Sequence, residues 1–196
     1  MRVLVLDHGD ASTPTLVKAL EELEAECEVR LAGEIAYDDI LEIKPRRILL
    51  TPGPMAPEDC RIGRRVVQEL AGHIPVLGLC LGMQIIAVVA GAHLVAAKKK
   101  PAKLPDTVIL RHDSRGIFEA LASPITVGRY ESPLVLEAGE EPPFLEYSAW
   151  SEDDGSVLGL RLSGLGVEGL QIAPETFLTQ IGNDMLFNFL YRSQTW

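Results

Sequence analysis

Cysteine is scarce in this sequence, and its distribution argues against two kinds of small, cross-linked domain. Three cysteines occur in 196 residues, and Cys27, Cys60 and Cys80 lie far apart, with no Cys-x-x-Cys pair and no Cys/His cluster. This pattern excludes a disulfide framework and a zinc-finger type of site. We therefore expect no metal or other cofactor, and we expect the protein in the reducing cytoplasm.

Long apolar segments and an excess of positive charge are also lacking. No apolar run approaches the roughly 18 to 20 residues needed to cross a bilayer, and residues 1–7 are typical of a strand rather than of a signal peptide. Acidic residues outnumber basic ones by 28 to 18, which gives a formal net charge of −10. Because such a surface repels phosphate backbones, we expect neither a nucleic acid nor a membrane as partner.

What the sequence does contain predicts one α/β domain over residues 1–196. In the first half, short apolar runs alternate with segments of helical periodicity, which indicates βα units on a parallel sheet. Strands are predicted there at 2–6, 28–31, 46–51 and 76–79, and helices at 15–26, 38–43, 61–71 and 81–90. The second half predicts strands at 107–110, 126–129, 144–150, 157–162 and 167–172, a helix at 176–191, and exposed loops at 97–103 and 137–143. We expect a mostly parallel central sheet flanked by helices, with additional antiparallel strands in the second half.

A strand-to-helix junction at residues 76–84 carries the strongest chemical signal. Cys80 stands between Gly78 and Gly82, which leave room for a sharp turn in which the cysteine adopts a strained backbone conformation. The start of the following helix favours a thiolate, and its free N–H groups can stabilise an oxyanion. The alternative is that Cys80 only packs beneath the helix, as buried cysteines commonly do. The paired glycines favour a nucleophile.

Four segments carry a resemblance to a known family. They are 51–54 (Thr-Pro-Gly-Pro), 78–84 (Gly-Leu-Cys-Leu-Gly-Met-Gln), 111–118 with 128–130, and 168–171 leading to 174–175. With them the chain resembles the class I glutamine amidotransferases over nearly its whole length. Within this family, it resembles the glutamine amidotransferase components of anthranilate synthase and aminodeoxychorismate synthase. The resemblance implies a flavodoxin-like α/β fold.

The same resemblance implies roles for individual residues. Cys80 would attack the side-chain amide of glutamine, and ammonia would pass to a docked chorismate-using synthase subunit. The backbone N–H groups of Gly53 and Leu81 would hold the oxyanion, and Gln84 would contact the bound glutamine. The expected oxyanion and substrate-binding residues are Gly53, Pro54, Leu81, Gln84, Ser132 and Pro133.

One departure from the family pattern removes the expected catalytic base. The family motif Phe-His-Pro-Glu-Ser is replaced at 172–176 by Ile-Ala-Pro-Glu-Thr. Ala173 therefore stands where histidine is expected, while Glu175, which would orient that histidine, remains. The imidazole would raise the thiolate fraction and protonate the departing nitrogen, and alanine does neither. Losing a positioned acid/base lowers rates by roughly 10²- to 10⁴-fold.

Three further segments differ from the family. Residues 129–133 read Arg-Tyr-Glu-Ser-Pro in place of Arg-Tyr-His-Ser-Leu. Pro133 has no N–H to face the substrate carboxylate, and Glu131 adds a negative charge nearby. The first loop, 7–12, and the segment 97–100 also depart from the pattern. We expect glutamine to bind more weakly than in the family.

Three hypotheses stay open from the sequence. The first is that the chain is an impaired amidotransferase that serves as a binding or regulatory module. The second is that it is a working glutaminase whose base comes from His8, from Glu175 through water, or from the partner. The third is that it is a different cysteine-dependent hydrolase. Homo-oligomer formation also stays open. The remaining histidines are expected at the surface or in structural hydrogen bonds: His73, His93 and His112.

Overall fold

The computed structural model describes residues 1–97, 107–136 and 141–192. The strands are β1 (Arg2–Asp7), β2 (Glu26–Leu31), β3 (Arg47–Leu50), β4 (Val76–Leu79), β5 (Leu94–Ala96), β6 (Thr107–His112), β7 (Ile125–Gly128), β8 (Leu134–Leu136), β9 (Leu145–Ser151), β10 (Val157–Leu162) and β11 (Val167–Leu170). The α-helices are α1 (Thr13–Glu22), α2 (Tyr37–Ile43), α3 (Arg61–Leu70), α4 (Leu81–Val89) and α5 (Gly182–Tyr191), and short 3-10 turns lie at Pro57–Asp59 and Gly116–Phe118.

Nine of these strands form one mixed sheet in the order β2-β1-β3-β4-β11-β10-β9-β6-β7. The pairings from β2 to β11 are parallel, and those from β11 to β7 are antiparallel. The parallel part comes mainly from the first half of the chain and the antiparallel part from the second half. This arrangement confirms the predicted α/β class. It also places β4, which precedes Cys80, between β3 and β11.

The period-two pattern of β1 explains how both faces of the sheet are covered. Val3 and Val5 belong to one buried cluster, whereas Leu4 and Leu6 belong to another, because successive side chains of a strand point to opposite faces. The first cluster includes apolar residues of α1 and α5, and the second includes those of α3 and α4. Such two-sided burial is typical of parallel strands, and it fixes the carboxyl ends of β1, β3, β4 and β11 along one edge.

The predicted helix at 176–191 is wrong in its first six residues, since α5 begins at Gly182. The Ala173 carbonyl accepts hydrogen bonds from the hydroxyls of Thr176 at 3.1 Å and Thr179 at 2.7 Å. Such side-chain bonds compete with helical backbone bonds. A Cβ on Gly182 would lie 1.8 Å from the Pro174 carbonyl oxygen, so the segment is folded tightly onto itself. It forms turns instead of a helix.

Other boundaries differ by smaller amounts. The helix predicted at 15–26 is shifted to Thr13–Glu22, because Glu24 takes a positive φ of 63° and β2 begins two residues later. The pair of strands β5 and β8 was not predicted; each has only three residues, and they pair with one another outside the main sheet. The loop predicted at 97–103 lies almost wholly outside the described residues. Residues 137–140 of the other predicted loop lie outside them as well.

Within the described ranges, no helix has the length and hydropathy needed to cross a membrane. The same residues contain no group of His, Cys, Asp or Glu side chains arranged to hold a metal ion. All three cysteines are unpaired.

Candidate active site

The turn from β4 into α4 gives Cys80 a strained backbone. Its φ of 51° and ψ of −102° lie in a region that side-chain-bearing residues rarely occupy and that is found mainly at functional sites. The Cys80 N–H donates to the Leu170 carbonyl of β11 at 2.8 Å, which ties the turn to the neighbouring strand. The side chain therefore stands at the carboxyl edge of the parallel strands, as predicted for a nucleophile elbow.

The two glycines around Cys80 are required by close backbone contacts. A Cβ on Gly78 would lie 2.4 Å from the carbonyl carbon of Gly82, and a Cβ on Gly82 would lie 2.5 Å from the Leu50 carbonyl oxygen. Backbone atoms cannot give way at such distances as flexible side-chain ends do. These glycines therefore let α4 begin directly against β3 and β4.

The sulfur of Cys80 is buried, and its surroundings do not favour a thiolate overall. Cys80 is 8% exposed, and burial raises the pKa of its thiol above the ordinary value. The side-chain N–H of Gln171 and the backbone N–H of Leu81 oppose this rise in pKa, while the carboxylate of Asp10 adds to it. The thiolate expected from the helix start is therefore offset by desolvation.

Ala173 and Glu175 follow β11 on the same edge of the sheet. Ala173 is 4% exposed, and its methyl group cannot transfer a proton. The Glu175 Oε2 atom is buried and has no hydrogen-bond partner among the described residues. Burial raises the pKa of Glu175, and the nearby Asp10 carboxylate raises it further. No arginine, lysine or histidine of the described segments forms an ion pair with Glu175 or Asp10.

Tyr130 completes this group of polar side chains. Its hydroxyl is buried and lies near the side chains of Glu175 and Ser12, although it makes no hydrogen bond of normal geometry to a described residue. Burial and the Glu175 carboxylate raise the pKa of Tyr130 well above its ordinary value, and charge on Cys80 contributes in the same direction. The phenol is therefore neutral at physiological pH. Together, these side chains present acidic and neutral groups around the sulfur without a basic partner.

His8 does not fill the place of the missing imidazole in this structure. The residue is 5% exposed, and neither ring nitrogen has a hydrogen-bond partner among the described residues. The Nε2 atom lies 3.4 Å from the position that a Cβ on Gly63 of α3 would take. Burial lowers the pKa of His8, and Asp7 partly offsets this effect. The ring is thus neutral and packed beside α3.

The other three histidines have the surroundings expected of surface or structural residues. His73 and His93 are exposed. The Nε2 atom of His112 lies 2.8 Å from the Ala122 carbonyl oxygen, and its Nδ1 atom accepts a hydrogen bond from the Ser114 N–H. The ring also stacks on Phe118.

The loop expected to form the oxyanion hole lies against the elbow. A Cβ on Gly53 would lie 2.6 Å from the His8 Cβ and 3.0 Å from the Leu81 Cδ2 atom, so only glycine fits between β1 and α4. Pro54 is exposed. The His8 N–H donates to the Thr51 hydroxyl at 2.9 Å, which fixes the start of this loop to the end of β1. Gly53 and Leu81 are therefore neighbours, and their role in holding an oxyanion stays a prediction.

The expected substrate residues form a closed set of hydrogen bonds. The Gln84 Nε2 atom donates to the Ser132 hydroxyl at 2.7 Å and to the Leu134 carbonyl at 3.1 Å. The Ser132 hydroxyl also accepts from the Leu134 N–H at 3.2 Å. Pro133, between them, is exposed and offers only a carbonyl, which accepts from the Ala97 N–H at 2.9 Å. The Nε2 group of Gln84 is thus hydrogen-bonded to other residues of the chain.

Buried ions support the strand that leads to Ala173. Arg161 is 1% exposed and pairs with Asp113 at 2.7 Å and with Glu168 of β11 at 3.5 Å. The Ile117 N–H donates to the Glu168 Oε1 atom at 2.9 Å. Burial raises the pKa of Glu168 to about 7, although Arg161 opposes the rise. This network connects the segment 111–118 with 168–171, two of the four segments that carry the family resemblance.

Sequence reasoning missed three residues of the site: Asp10, Tyr130 and Gln171. Asp10 follows β1 and Gln171 follows β11, so both stand where the carboxyl ends of parallel strands meet one crevice. That position was a usable signal for both residues. Tyr130 follows β7 at the far end of the antiparallel part, and it reaches the site through the bridge between Arg129 and Ile172. No local pattern indicates that bridge.

Comparison with known proteins agrees with this geometry. The family model described as glutamine amidotransferase class-I matches residues 4–193. Anthranilate synthase component 2 of Pseudomonas aeruginosa is 38% identical over 192 residues, which cover 96% of this chain and 94% of that protein. Aminodeoxychorismate synthase component 2 of Escherichia coli is 37% identical over 191 residues, covering 97% of this chain and 100% of that protein.

Solved structures give the same result for the fold. A protein of Thermoplasma acidophilum described as a GMP synthase subunit superposes with a TM-score of 0.81 at 26% identity, covering 97% of this chain and 92% of that one. A glutamine amidotransferase from Thermotoga maritima has a TM-score of 0.81 at 16% identity, covering 98% and 97%, and this similarity concerns the fold alone. From the matched family model and these relatives, this chain belongs to the class I glutamine amidotransferases.

Proposed function

We propose that this chain is the amidotransferase-like subunit of a chorismate-using synthase, and that it hydrolyses glutamine only weakly on its own. The observation that carries this proposal is the residue beside the nucleophile. Cys80 stands on a strained elbow, but Ala173 occupies the position of the base, and no imidazole hydrogen-bonds the sulfur within the described residues. The protein then acts chiefly as a binding or regulatory module.

The chemistry of amide hydrolysis explains the expected loss. Attack of the Cys80 sulfur on the glutamine amide forms a carbon–sulfur bond, and the C–N bond breaks only if the nitrogen receives a proton. The raised pKa of the thiol favours keeping that proton on sulfur at neutral pH, and no imidazole among the described residues hydrogen-bonds the sulfur to relay it to the nitrogen. Glu175 cannot take the thiol proton in place of the imidazole, because burial favours its protonated form. A loss of roughly 10²- to 10⁴-fold is expected.

The substrate side of the site supports weak binding as well. Gln84 already donates both of its observed hydrogen bonds to Ser132 and Leu134. To donate to a glutamine ligand, its Nε2 group must exchange these bonds for new ones, and only the Oε1 atom can accept without such an exchange. Pro133 offers no N–H to a substrate carboxylate, and the exposed Glu131 carries like charge close by. The missing N–H and the like charge should both raise the KM for glutamine.

The partner is proposed from the relatives and from exposed apolar side chains. The relatives are named as components of anthranilate and aminodeoxychorismate synthases, which suggests a synthase subunit for this chain too. Phe177, two residues after Glu175, is 87% exposed, and Met55, two residues after Gly53, is 46% exposed. Large apolar side chains exposed at the rim of a site are typical of docking surfaces. With three unpaired cysteines, a cytoplasmic location fits this role.

The test is ammonia release from glutamine by the purified protein. We expect the wild type to release ammonia at no more than about one hundredth of the rate of an amidotransferase with the histidine, and Cys80→Ala to remove what remains. Binding to a chorismate-using synthase, measured by calorimetry, should persist in both proteins. Family-level ammonia release by the isolated wild type, abolished by Cys80→Ala, would overturn the proposal of impairment. Absence of any synthase binding would overturn the proposed module.

One observation favours a second candidate, a working glutaminase that receives its base from elsewhere. The backbone of Cys80 has the strained conformation of a nucleophile elbow, and two N–H groups favour negative charge on its sulfur. Both features are expected of a functioning nucleophile. In this case, adding the synthase should raise ammonia release at least tenfold. If His8 supplies the base after a rearrangement, His8→Asn should remove that gain; if the partner supplies it, His8→Asn should leave the gain unchanged.

A further inference from the structure

Gln171 makes the one side-chain hydrogen bond to the Cys80 sulfur that the described residues contain. Its amide Nε2 atom lies 3.3 Å from Cys80 Sγ and 3.1 Å from the Tyr130 carbonyl oxygen. The residue is 4% exposed, so water does not compete for these bonds. Neither the elbow motif nor the proposed function assigns a role to this amide.

The orientation of the amide follows from its neighbours. A backbone carbonyl can only accept a hydrogen bond, so the Gln171 atom that faces the Tyr130 oxygen must be the NH₂ group. The other hydrogen of that group then points to the sulfur, which acts as acceptor. The backbone of Gln171 is fixed too, because its N–H donates to Leu158 at 2.8 Å and its carbonyl accepts from the Tyr130 N–H at 3.1 Å. The donor is therefore held rigidly.

A second donor approaches the sulfur from the helix. The backbone N–H of Leu81 acts on Cys80 Sγ in the same sense as the Gln171 amide, and both favour negative charge on sulfur. Hydrogen bonds to a charged acceptor are stronger than those to a neutral one. The two N–H groups therefore oppose the burial that disfavours the thiolate.

We propose that Gln171 is a positioning residue that fixes the Cys80 sulfur in one orientation and stabilises its anionic form. Through it, Cys80 reacts faster with small soft electrophiles than it would in the same buried site without this donor. This inference goes beyond the proposed function, because it concerns the thiol itself and holds whether or not glutamine is a substrate.

The test measures alkylation of Cys80 by iodoacetamide as a function of pH. In this reaction a carbon–sulfur bond forms, the carbon–iodine bond breaks, iodide leaves, and the thiol proton goes to solvent. Mass spectrometry of the tryptic peptide 66–98, which contains Cys80 and no other cysteine, follows this site separately from Cys27 and Cys60. The full chain is used throughout.

Two variants remove the donor. Gln171→Met keeps the length of the side chain without an N–H, and Gln171→Glu keeps its shape and adds an acceptor. For Gln171→Met we expect alkylation at neutral pH to slow roughly tenfold and the midpoint of the profile to rise by about one pH unit, as loss of one hydrogen bond to a charged group predicts. Gln171→Glu should raise the midpoint further, since its carboxylate repels the thiolate.

A matched control separates this role from a merely structural one. Asn188 is also a buried amide, 3% exposed, and its Nδ2 atom donates to the carbonyls of Ile117 and Glu119, away from the sulfur. Asn188→Leu should lower Tm but leave the midpoint for Cys80 unchanged. The proposal is overturned if the profiles of folded Gln171→Met or Gln171→Glu superimpose on the wild type, or if Asn188→Leu moves the midpoint equally.

Discussion

Replacement of Ala173 by histidine tests the reasoning about this site most directly. The backbone at this position is already held in place, because the Ala173 carbonyl accepts from the Thr176 and Thr179 hydroxyls. An imidazole there would find a buried acceptor, the Glu175 Oε2 atom, which lacks a hydrogen bond of normal geometry to any described residue. A ring N–H bonded to that carboxylate would leave the other nitrogen to face the Cys80 sulfur. We therefore expect Ala173→His to fold and to regain a base.

The size of the expected gain follows from the two tasks of the imidazole. A positioned general acid/base contributes roughly 10²- to 10⁴-fold, which corresponds to about 3 to 5 kcal/mol of transition-state stabilisation. The gain should appear in kcat. KM should stay high, because Pro133 and the hydrogen bonds of Gln84 are unchanged by the substitution. An effect confined to KM would contradict this assignment.

The assay is glutamine-dependent ammonia release coupled to NADH oxidation by glutamate dehydrogenase. Ala173→Asn, which is polar and of intermediate size but transfers no proton, serves as the control and should remain at the wild-type rate. The regained activity should rise with pH around the ordinary imidazole pKa of about 6.5. The reasoning is refuted if folded Ala173→His shows no gain in kcat, or if its gain survives when Cys80→Ala is added.

Three further predictions concern stability and binding. Gly78→Ala should destabilise the fold by about 1 to 3 kcal/mol in urea denaturation, because the new Cβ would lie 2.4 Å from a backbone carbonyl carbon of α4. Gly33→Ala is the control and should be near neutral, because a Cβ at that position would have no atom within 4 Å. The pKa of Glu168 is about 7 in the fold against an ordinary value of 4.5, so the folded state binds more protons between these values. Its free energy of unfolding should therefore fall by up to about 1.4 kcal/mol per unit as pH rises from about 5 to 7, and Glu168→Gln should flatten this slope; an equal slope in the variant would contradict the raised pKa. Phe177→Ser should weaken synthase binding at least tenfold in calorimetry. Phe144→Ser is the control, because Phe144 is 75% exposed but lies in another loop, and it should not weaken binding. Equal losses in the two variants would rule out a specific docking role for Phe177.

Local patterns in the sequence were sufficient for the fold and for the elbow. The alternation of apolar runs with helical periodicity predicted β1, β2, β3 and β4, and the apolar run at 167–172 predicted β11. Of these strands, β3, β4 and β11 are wholly buried, whereas β2 at the edge of the sheet is largely exposed. The elbow was predictable because its cause is local: Gly78, Cys80 and Gly82 lie within five residues, and both glycines meet close backbone contacts at this turn. The failure at 176–191 also has a local cause, since threonine hydroxyls replaced the helical bonds that the periodicity alone suggested.

Contacts between distant segments could not be predicted in the same way. The bond from Gln171 to Cys80 joins residues 91 positions apart, and the bond from Gln84 to Ser132 joins residues 48 apart. No periodicity records such pairs. The surroundings of His8 were also unpredictable, because the ring packs beside α3, whose Gly63 lies 55 positions further along the chain. The sequence could propose His8 as a substitute base only because these packing partners were unknown.

The backbone at Cys80 gives a physical reason to think that its sulfur has a use. Glycine adopts a positive φ without strain, whereas a side-chain-bearing residue there costs about 1 to 3 kcal/mol. The turn itself needs only small residues at 78 and 82, so the fold would be easier to form with glycine at 80. Cysteine at this position therefore lowers stability without serving the turn. The sulfur in return receives N–H groups from Gln171 and Leu81, an arrangement that packing does not require. In the function proposed above, the two features are separate: Ala173 limits proton transfer, while the elbow still presents a thiol.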